Sequence, residues 1–218
     1  MTLPGPVGIM GGTFDPIHYG HLRSAYELLH GLKLAEVRFI PSARPPHRQG
    51  PVADGRLRLR MVRAAIAGTP GFVVDDRELE RAGPSYSVTT LASLREDFPE
   101  ASLCMIVGMD AFVGIGDWFE WRTLFELAHV VVAQRPGFDM PAHGQVADLI
   151  AARGTDDVEA LRVRACGSIY MQAVTQLEIS STDIRLHIGN GGDGRFLLPD
   201  PVCDIIQETK IYARSKTP

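Results

Sequence analysis

Short apolar runs alternate with helical patterns along most of this chain, and that alternation limits the possible folds more than any other feature. Val7 to Met10, Val37 to Ile40, Phe72 to Val74, Leu103 to Val107 and Val130 to Ala133 read as strands. Runs that are apolar throughout mark strands covered on both faces. Between them, Gly20 to Gly31 presents Leu22, Ala25, Tyr26 and Leu29 on one helical face, and Arg56 to Ala67 presents Leu57, Met61, Ala64 and Ala65. Val88 to Phe98, with Ser87 as N-cap, and Trp118 to Ala128 read as further helices. Strict strand–helix alternation implies an α/β fold, a doubly wound, Rossmann-like parallel sheet with right-handed crossovers. A chain of 218 residues with 45% hydrophobic content can bury the core of one such domain.

The alternation weakens after Gly137, so residues 1–218 read as a single domain with a core at 1–137 and a C-terminal part at 138–218. In that part Asp148 to Arg153 reads as a short helix, Ile169 to Val174 as a strand and Asp200 to Ala213 as a final helix, a small helical extension of the core.

A formal charge of −4 argues against a general nucleic-acid binder. It does not argue against nucleotides, because a small anion responds to local groups. Cys104, Cys166 and Cys203 are too few and too scattered for a disulfide framework, and Cys104 sits in an apolar run as a core residue. The N-terminal residues lack signal-peptide character, and no apolar stretch approaches the ~20 residues that cross a bilayer. The expectation is a cytoplasmic protein without membrane or nucleic-acid partners. The oligomeric state is open.

The segment Gly11-Gly12-Thr13-Phe14-Asp15-Pro16-Ile17-His18-Tyr19-Gly20-His21 follows the first strand and opens the first helix. Paired glycines let a backbone approach an anion closely, and a helix start offers free N–H groups. His18 and His21 fall on one helical face, so both can reach one phosphate chain. Asp15 reads as a brace for this loop rather than a metal ligand. Ser180, Ser181 and Thr182 cluster hydroxyls at another helix start, with Arg185 one turn in, able to fork two phosphate oxygens. The same pattern also describes a plain capping motif with a solvated arginine. Gly108 ends a strand, and Asp110 after it suits a ribose hydroxyl or a helix cap. Most of these motifs sit at carboxyl ends of strands, where open parallel sheets bind ligands. His30, His129, His143 and His187 read as structural or surface residues, Met105 and Met109 as core or cleft lining, and Glu78 and Glu80 as surface. No Ser-His-Asp order with an elbow motif is present, so covalent hydrolysis has no support.

The string GGTFDPIHYGHL resembles the motif of the HxGH nucleotidyltransferases, and more narrowly the bacterial nicotinate-nucleotide adenylyltransferases. Further matches are PSARPPHR at 41–48, PSYSVTTL at 84–91, VGMDAF at 107–112, Trp118 and Trp121, AQRPG at 133–137 and ISSTDIR at 179–185. Two stretches depart from the pattern: Gly114 to Asp117 stands where a Leu-Pro turn is expected, and Gly189 to Gly194 is an unusually glycine-rich spacer.

The resemblance implies adenylyl transfer from ATP to nicotinate mononucleotide, giving deamido-NAD and pyrophosphate, with Mg²⁺ carried by ATP and no protein-held metal. It implies catalytic roles for His18, His21 and Arg185, and ATP binding by these with Gly11, Gly12, Thr13, Phe14, Gly108, Asp110, Ser180, Ser181 and Thr182. It assigns mononucleotide binding to Ser85, Tyr86, Trp118, Arg135, His47 and Arg48, with Trp118 against the pyridine ring. Alternatives are another acceptor, such as nicotinamide mononucleotide or phosphopantetheine, and a non-catalytic adenine-nucleotide sensor.

Overall fold

The computed structural model describes residues 5–44, 50–134, 143–175 and 177–213. In chain order its elements are β1 (Val7–Gly12), α1 (Tyr19–Gly31), β2 (Glu36–Pro41), α2 (Gly55–Ile66), β3 (Phe72–Val74), α3 (Arg77–Glu80), α4 (Ser87–Asp97), β4 (Leu103–Gly108) and α5 (Met109–Val113). They continue with α6 (Leu124–Leu127), β5 (His129–Gln134), α7 (Gln145–Arg153), β6 (Gly154–Thr155), α8 (Ala160–Val163), β7 (Ile169–Ala173), α9 (Ser181–Gly189) and α10 (Asp200–Thr209). A single 3₁₀ turn spans Ile115–Asp117.

The strands form one seven-stranded sheet in the order β3-β2-β1-β4-β5-β7-β6. Every pairing is parallel. Side chains along each strand alternate between two buried clusters. On one face Met10, Val37, Phe39, Cys104 and Ile106 pack against α1, α2, α9 and α10 through Leu28, Met61, Ile184 and Val202. On the other, Ile9, Ile40, Met105 and Val107 pack against α4, α5, α6 and α7 through Leu91, Phe112, Phe125 and Leu149. The all-apolar strands are therefore covered on both sides, as their sequence implies. Strand order reverses between β1 and β4, which pair from Val7↔Leu103 to Ile9↔Met105. Their carboxyl ends diverge there and open the crevice in which such sheets hold ligands.

The C-terminal part contributes more than helices. β7 pairs with β5 from Val130↔Ile169 to Gln134↔Ala173, and β6 adds the edge. Cys104 is fully buried, its thiol pushed up to about 12 by that burial.

Several local readings are corrected. Trp118 to Ala128 is not one helix: Glu120 takes a left-handed φ of 49°, and only Leu124–Leu127 is helical. The N-cap of α4 is Tyr86, not Ser87, because Tyr86 holds an extended conformation and its carbonyl accepts from Thr90 N. In α1 the inward position belongs to Leu28; Tyr26 is half-exposed with its ring edge on His30. α10 stops at Thr209, where Lys210 turns left-handed and sends Tyr212 back into the core. Glu78 is buried rather than at the surface, because the turn of α3 presses it against α4, where Oε1 accepts from Thr90 Oγ1 at 2.6 Å.

Candidate active site

The loop after β1 is held from several directions. Phe14 takes a left-handed φ of 49° and turns its ring into the core, against Phe39 and the edge of His21. Asp15 braces the loop as expected. Its Oδ2 accepts from Val52 N at 2.8 Å, and its Oδ1 from Ala53 N at 3.1 Å and from the Tyr212 hydroxyl at 2.6 Å. Three donors thus bind a carboxylate that is 3% exposed, compensating its burial.

His18 is the N-cap of α1 and His21 lies in its first turn. The ring centroids are 3.7 Å apart with planes at 30°. His21 Nδ1 accepts from His18 N at 3.3 Å, so the His21 proton resides on Nε2. Burial pulls His18 down to about 4. Burial, and then the adjacent His18, pull His21 down to about 3. Both rings are neutral near pH 7. Gly20 permits the stack: a Cβ there would lie 2.9 Å from His18 Nδ1 and 3.0 Å from its Cε1.

The second anion motif docks on the first. Ser181 Oγ donates to Pro16 O at 2.9 Å, and Arg185 Nη1 donates to Asp15 O at 2.7 Å. Ser180 caps α9, accepting from Asp183 N, and Thr182 Oγ1 accepts from Arg185 Nη2 at 3.3 Å. Gly11, Gly12 and Thr13 sit beside them at the end of β1. Gly108 and Asp110 are exposed at the end of β4, with Gly108 as N-cap of α5 and Asp110 in its first turn. The ATP set therefore gathers around the β1/β4 crevice.

The mononucleotide set is a separate cluster on the α4 side. Ser85 Oγ accepts from Ala43 N and Arg44 N, at 2.9 and 3.1 Å, which ties the loop after β2 to the approach to α4. Its hydroxyl hydrogen is its remaining bonding capacity. The N-cap residue Tyr86 makes no side-chain bond to the first-turn N–H groups of α4. The Tyr86 ring stacks on Phe119 at 4.4 Å, and Trp118, half-buried, packs on the same apolar cluster. His47, Arg48 and Arg135 lie outside the described residues.

Two further residues, Phe119 and Arg58, stand outside the motifs and shape the site. Phe119 forms the aromatic platform with Tyr86, and its place between Trp118 and Trp121 was the available cue. Arg58 is fully buried in α2. It donates from Nε to Ala53 O at 3.0 Å, from Nη1 to Thr13 O at 2.6 Å and from Nη2 to Ser42 O at 2.7 Å. Burial lowers its pKa, with Asp15 foremost among the charges opposing that shift. One guanidinium thus pins the loops following β1 and β2. Its position in a helix, among the apolar Leu57, Leu59 and Met61, was the cue.

Known proteins resemble this chain in sequence and in fold. The cytidylyltransferase-like family model matches residues 9–187. A probable nicotinate-nucleotide adenylyltransferase of Methylococcus capsulatus is 47% identical, over 95% of this chain and 100% of its own length. One from Aeromonas salmonicida is 44% identical, over 96% of this chain and 98% of its own. Among solved structures, the Plasmodium falciparum nicotinic acid mononucleotide adenylyltransferase complexed with NaAD superposes with a TM-score of 0.69. That match covers 95% of this chain and 97% of the other at 17% identity, and so speaks to the fold alone. With its HxGH and SSTDIR segments docked in one crevice, the chain belongs to the nicotinate-nucleotide adenylyltransferases, within the cytidylyltransferase-like family.

Proposed function

We propose that this protein transfers the adenylyl group of Mg–ATP to nicotinate mononucleotide, forming deamido-NAD and releasing pyrophosphate. The observation that carries the reading is the docking of α9 on the His18–His21 loop through Ser181–Pro16 and Arg185–Asp15. Two segments suited to anions thus lie together, as one triphosphate spanning both would need, and the Ser85, Tyr86 and Trp118 cluster is left for a second substrate.

A phosphate oxygen of the mononucleotide attacks the ATP α-phosphorus in line. The bond from that phosphorus to the bridging oxygen breaks, and pyrophosphate leaves. The substrate is itself the nucleophile, so the protein's work is positioning and charge stabilisation. His21 Nε2–H and the His18 ring donate toward the phosphates as charge develops on them. The backbone at Gly11, Gly12, Thr13 and Phe14 frames the phosphate chain. Ser180, Ser181, Thr182 and Arg185 hold its far end, and Gly108 and Asp110 meet the ribose. Ser85, Tyr86 and Trp118 bind the pyridine nucleotide, together with Arg135, His47 and Arg48.

Mg²⁺ enters with ATP, held by phosphate oxygens and water. The Asp15 carboxylate is committed to Val52, Ala53 and Tyr212, which fits a bracing role rather than an ion ligand. Mixing the protein with Mg–ATP and nicotinate mononucleotide should release pyrophosphate and form deamido-NAD in equal amounts. Binding of both nucleotides without turnover would overturn the proposal in favour of a sensor.

A further inference from the structure

The C-terminal turn reaches back to the phosphate loop. After α10, left-handed Lys210 redirects the chain, and Tyr212 becomes 6% exposed. Its ring packs in the core. Its hydroxyl does something more specific, donating to Asp15 Oδ1 at 2.6 Å. Arg185 also reaches Asp15. Its Nη1 donates to the Asp15 carbonyl at 2.7 Å, while the nearest carboxylate oxygen, Oδ2, is 3.9 Å away. The guanidinium is thus anchored through a neutral carbonyl and lies beside a carboxylate without being hydrogen-bonded to it. Part of its side chain stays open to the crevice, at 27% exposure.

That separation needs a cause, because a buried carboxylate beside an arginine ordinarily forms a close, charge-assisted pair. The donors already on Asp15 provide it. Ala53 N and the Tyr212 hydroxyl both bind Oδ1 and Val52 N binds Oδ2, and together they offset the charge that would pull Arg185 closer. Of these, only the hydroxyl can be removed by a change that preserves the backbone. Burial and the neighbouring Asp15 both raise the phenol's pKa, so it keeps its proton and remains a donor.

We propose that Tyr212 is a positioning residue for ATP: by satisfying the Asp15 carboxylate, its hydroxyl keeps Asp15 from drawing in Arg185 and leaves that guanidinium free for the triphosphate. The proposal rests on the reading of Arg185 as a triphosphate ligand. Without the hydroxyl, Oδ1 keeps only Ala53 N as a donor and the carboxylate carries more uncompensated charge. Arg185, 3.9 Å from Oδ2, is then drawn onto the carboxylate, and a phosphate must compete with a salt bridge for the same N–H groups.

The test is a double-mutant cycle with Tyr212→Phe, Arg185→Lys and the pair. Dissociation constants are measured for ATP alone and for nicotinate mononucleotide alone. Tyr212→Phe should weaken ATP about tenfold, the scale of one hydrogen bond to a charged group. Mononucleotide binding should stay within about twofold, and Tyr212→Phe should add little to Arg185→Lys. If Arg185→Lys weakens ATP while Tyr212→Phe does not, the Tyr212 proposal falls and the Arg185 reading stands. If Arg185→Lys leaves ATP affinity unchanged, the Arg185 reading falls and takes the proposal with it. Equal weakening of both ligands by Tyr212→Phe, or full additivity in the double variant, would mean that the hydroxyl only supports the fold, and would overturn the proposal.

Discussion

The imidazoles of His18 and His21 lie face over face, with centroids 3.7 Å apart. Two rings so close, one of them buried, cannot both carry charge at low cost. Burial holds His18 near 4, and burial together with His18 holds His21 near 3. Both rings are therefore neutral near pH 7, with the His21 proton on Nε2 because Nδ1 is occupied by His18 N.

His21→Ala should leave the fold intact and reduce kcat by roughly 10²–10³, the cost of one lost donor to developing charge. Single-turnover kinetics on the folded variant check this. Turnover close to that of the wild type would remove His21 from the mechanism.

Gly20→Ala should act through His18. The added methyl would meet the ring at 2.9 Å, so the ring must shift. A displacement of about 1 Å at a reacting centre can cost roughly 10² in rate. kcat should therefore fall while thermal stability changes little, because the clash involves a side chain and not the backbone. A variant with wild-type kcat would mean that the stack is not the productive arrangement.

Acid should destabilise the protein through the same pair. Above the ordinary histidine value of 6.5 both states are neutral and the pair has no effect on the pH dependence. Between 6.5 and about 4 for His18, or about 3 for His21, the unfolded chain takes up protons that the folded one refuses. Stability is then lost as pH falls, by at most about 1.4 kcal/mol per pH unit for each histidine. Denaturant titrations from pH 7 to 4 should give a shallower decline for His18→Gln/His21→Gln than for the wild type. Parallel curves would assign the acid sensitivity elsewhere.

Arg58→Met should be strongly destabilising. It strands the carbonyls of Thr13, Ser42 and Ala53, which now share one guanidinium. Even about 1 kcal/mol for each unsatisfied group sums to ~3 kcal/mol, a fall of roughly 6–12 °C in Tm for a chain of this size. Calorimetry decides. A fall below about 2 °C would show that the loops hold without Arg58.

The acid substrate should be favoured over the amide by at least about tenfold in kcat/KM. Ser85 Oγ already accepts from Ala43 and Arg44, which leaves only its hydrogen to offer, and the N-cap residue Tyr86 puts no side-chain cap on the first-turn N–H groups of α4. On the proposed placement, a ring substituent there would face these donors. A carboxylate accepts from all of them, whereas an amide turns its own NH₂ toward them. Rates within a factor of about two for nicotinate and nicotinamide mononucleotides would refute acid selectivity but leave adenylyl transfer standing.

Local pattern was enough to place β1 to β5, the glycine and histidine loop, and the capped start of α9. Each depends on periodicity or capping chemistry within a few neighbouring residues. It was not enough at Trp118, where a left-handed Glu120 breaks the apparent helix, because that turn is set by packing rather than propensity. Nor could it supply the residues that make the motifs into a site. Arg58 reaches Thr13 across 45 residues, Arg185 reaches Asp15 across 170 and Tyr212 reaches Asp15 across 197. The sequence by itself determined which segments have the chemistry to bind anions and that a parallel sheet carries them. Only the tertiary structure decided how those segments are held against one another, because a buried charge takes its partners from whatever the fold brings near, at any distance along the chain.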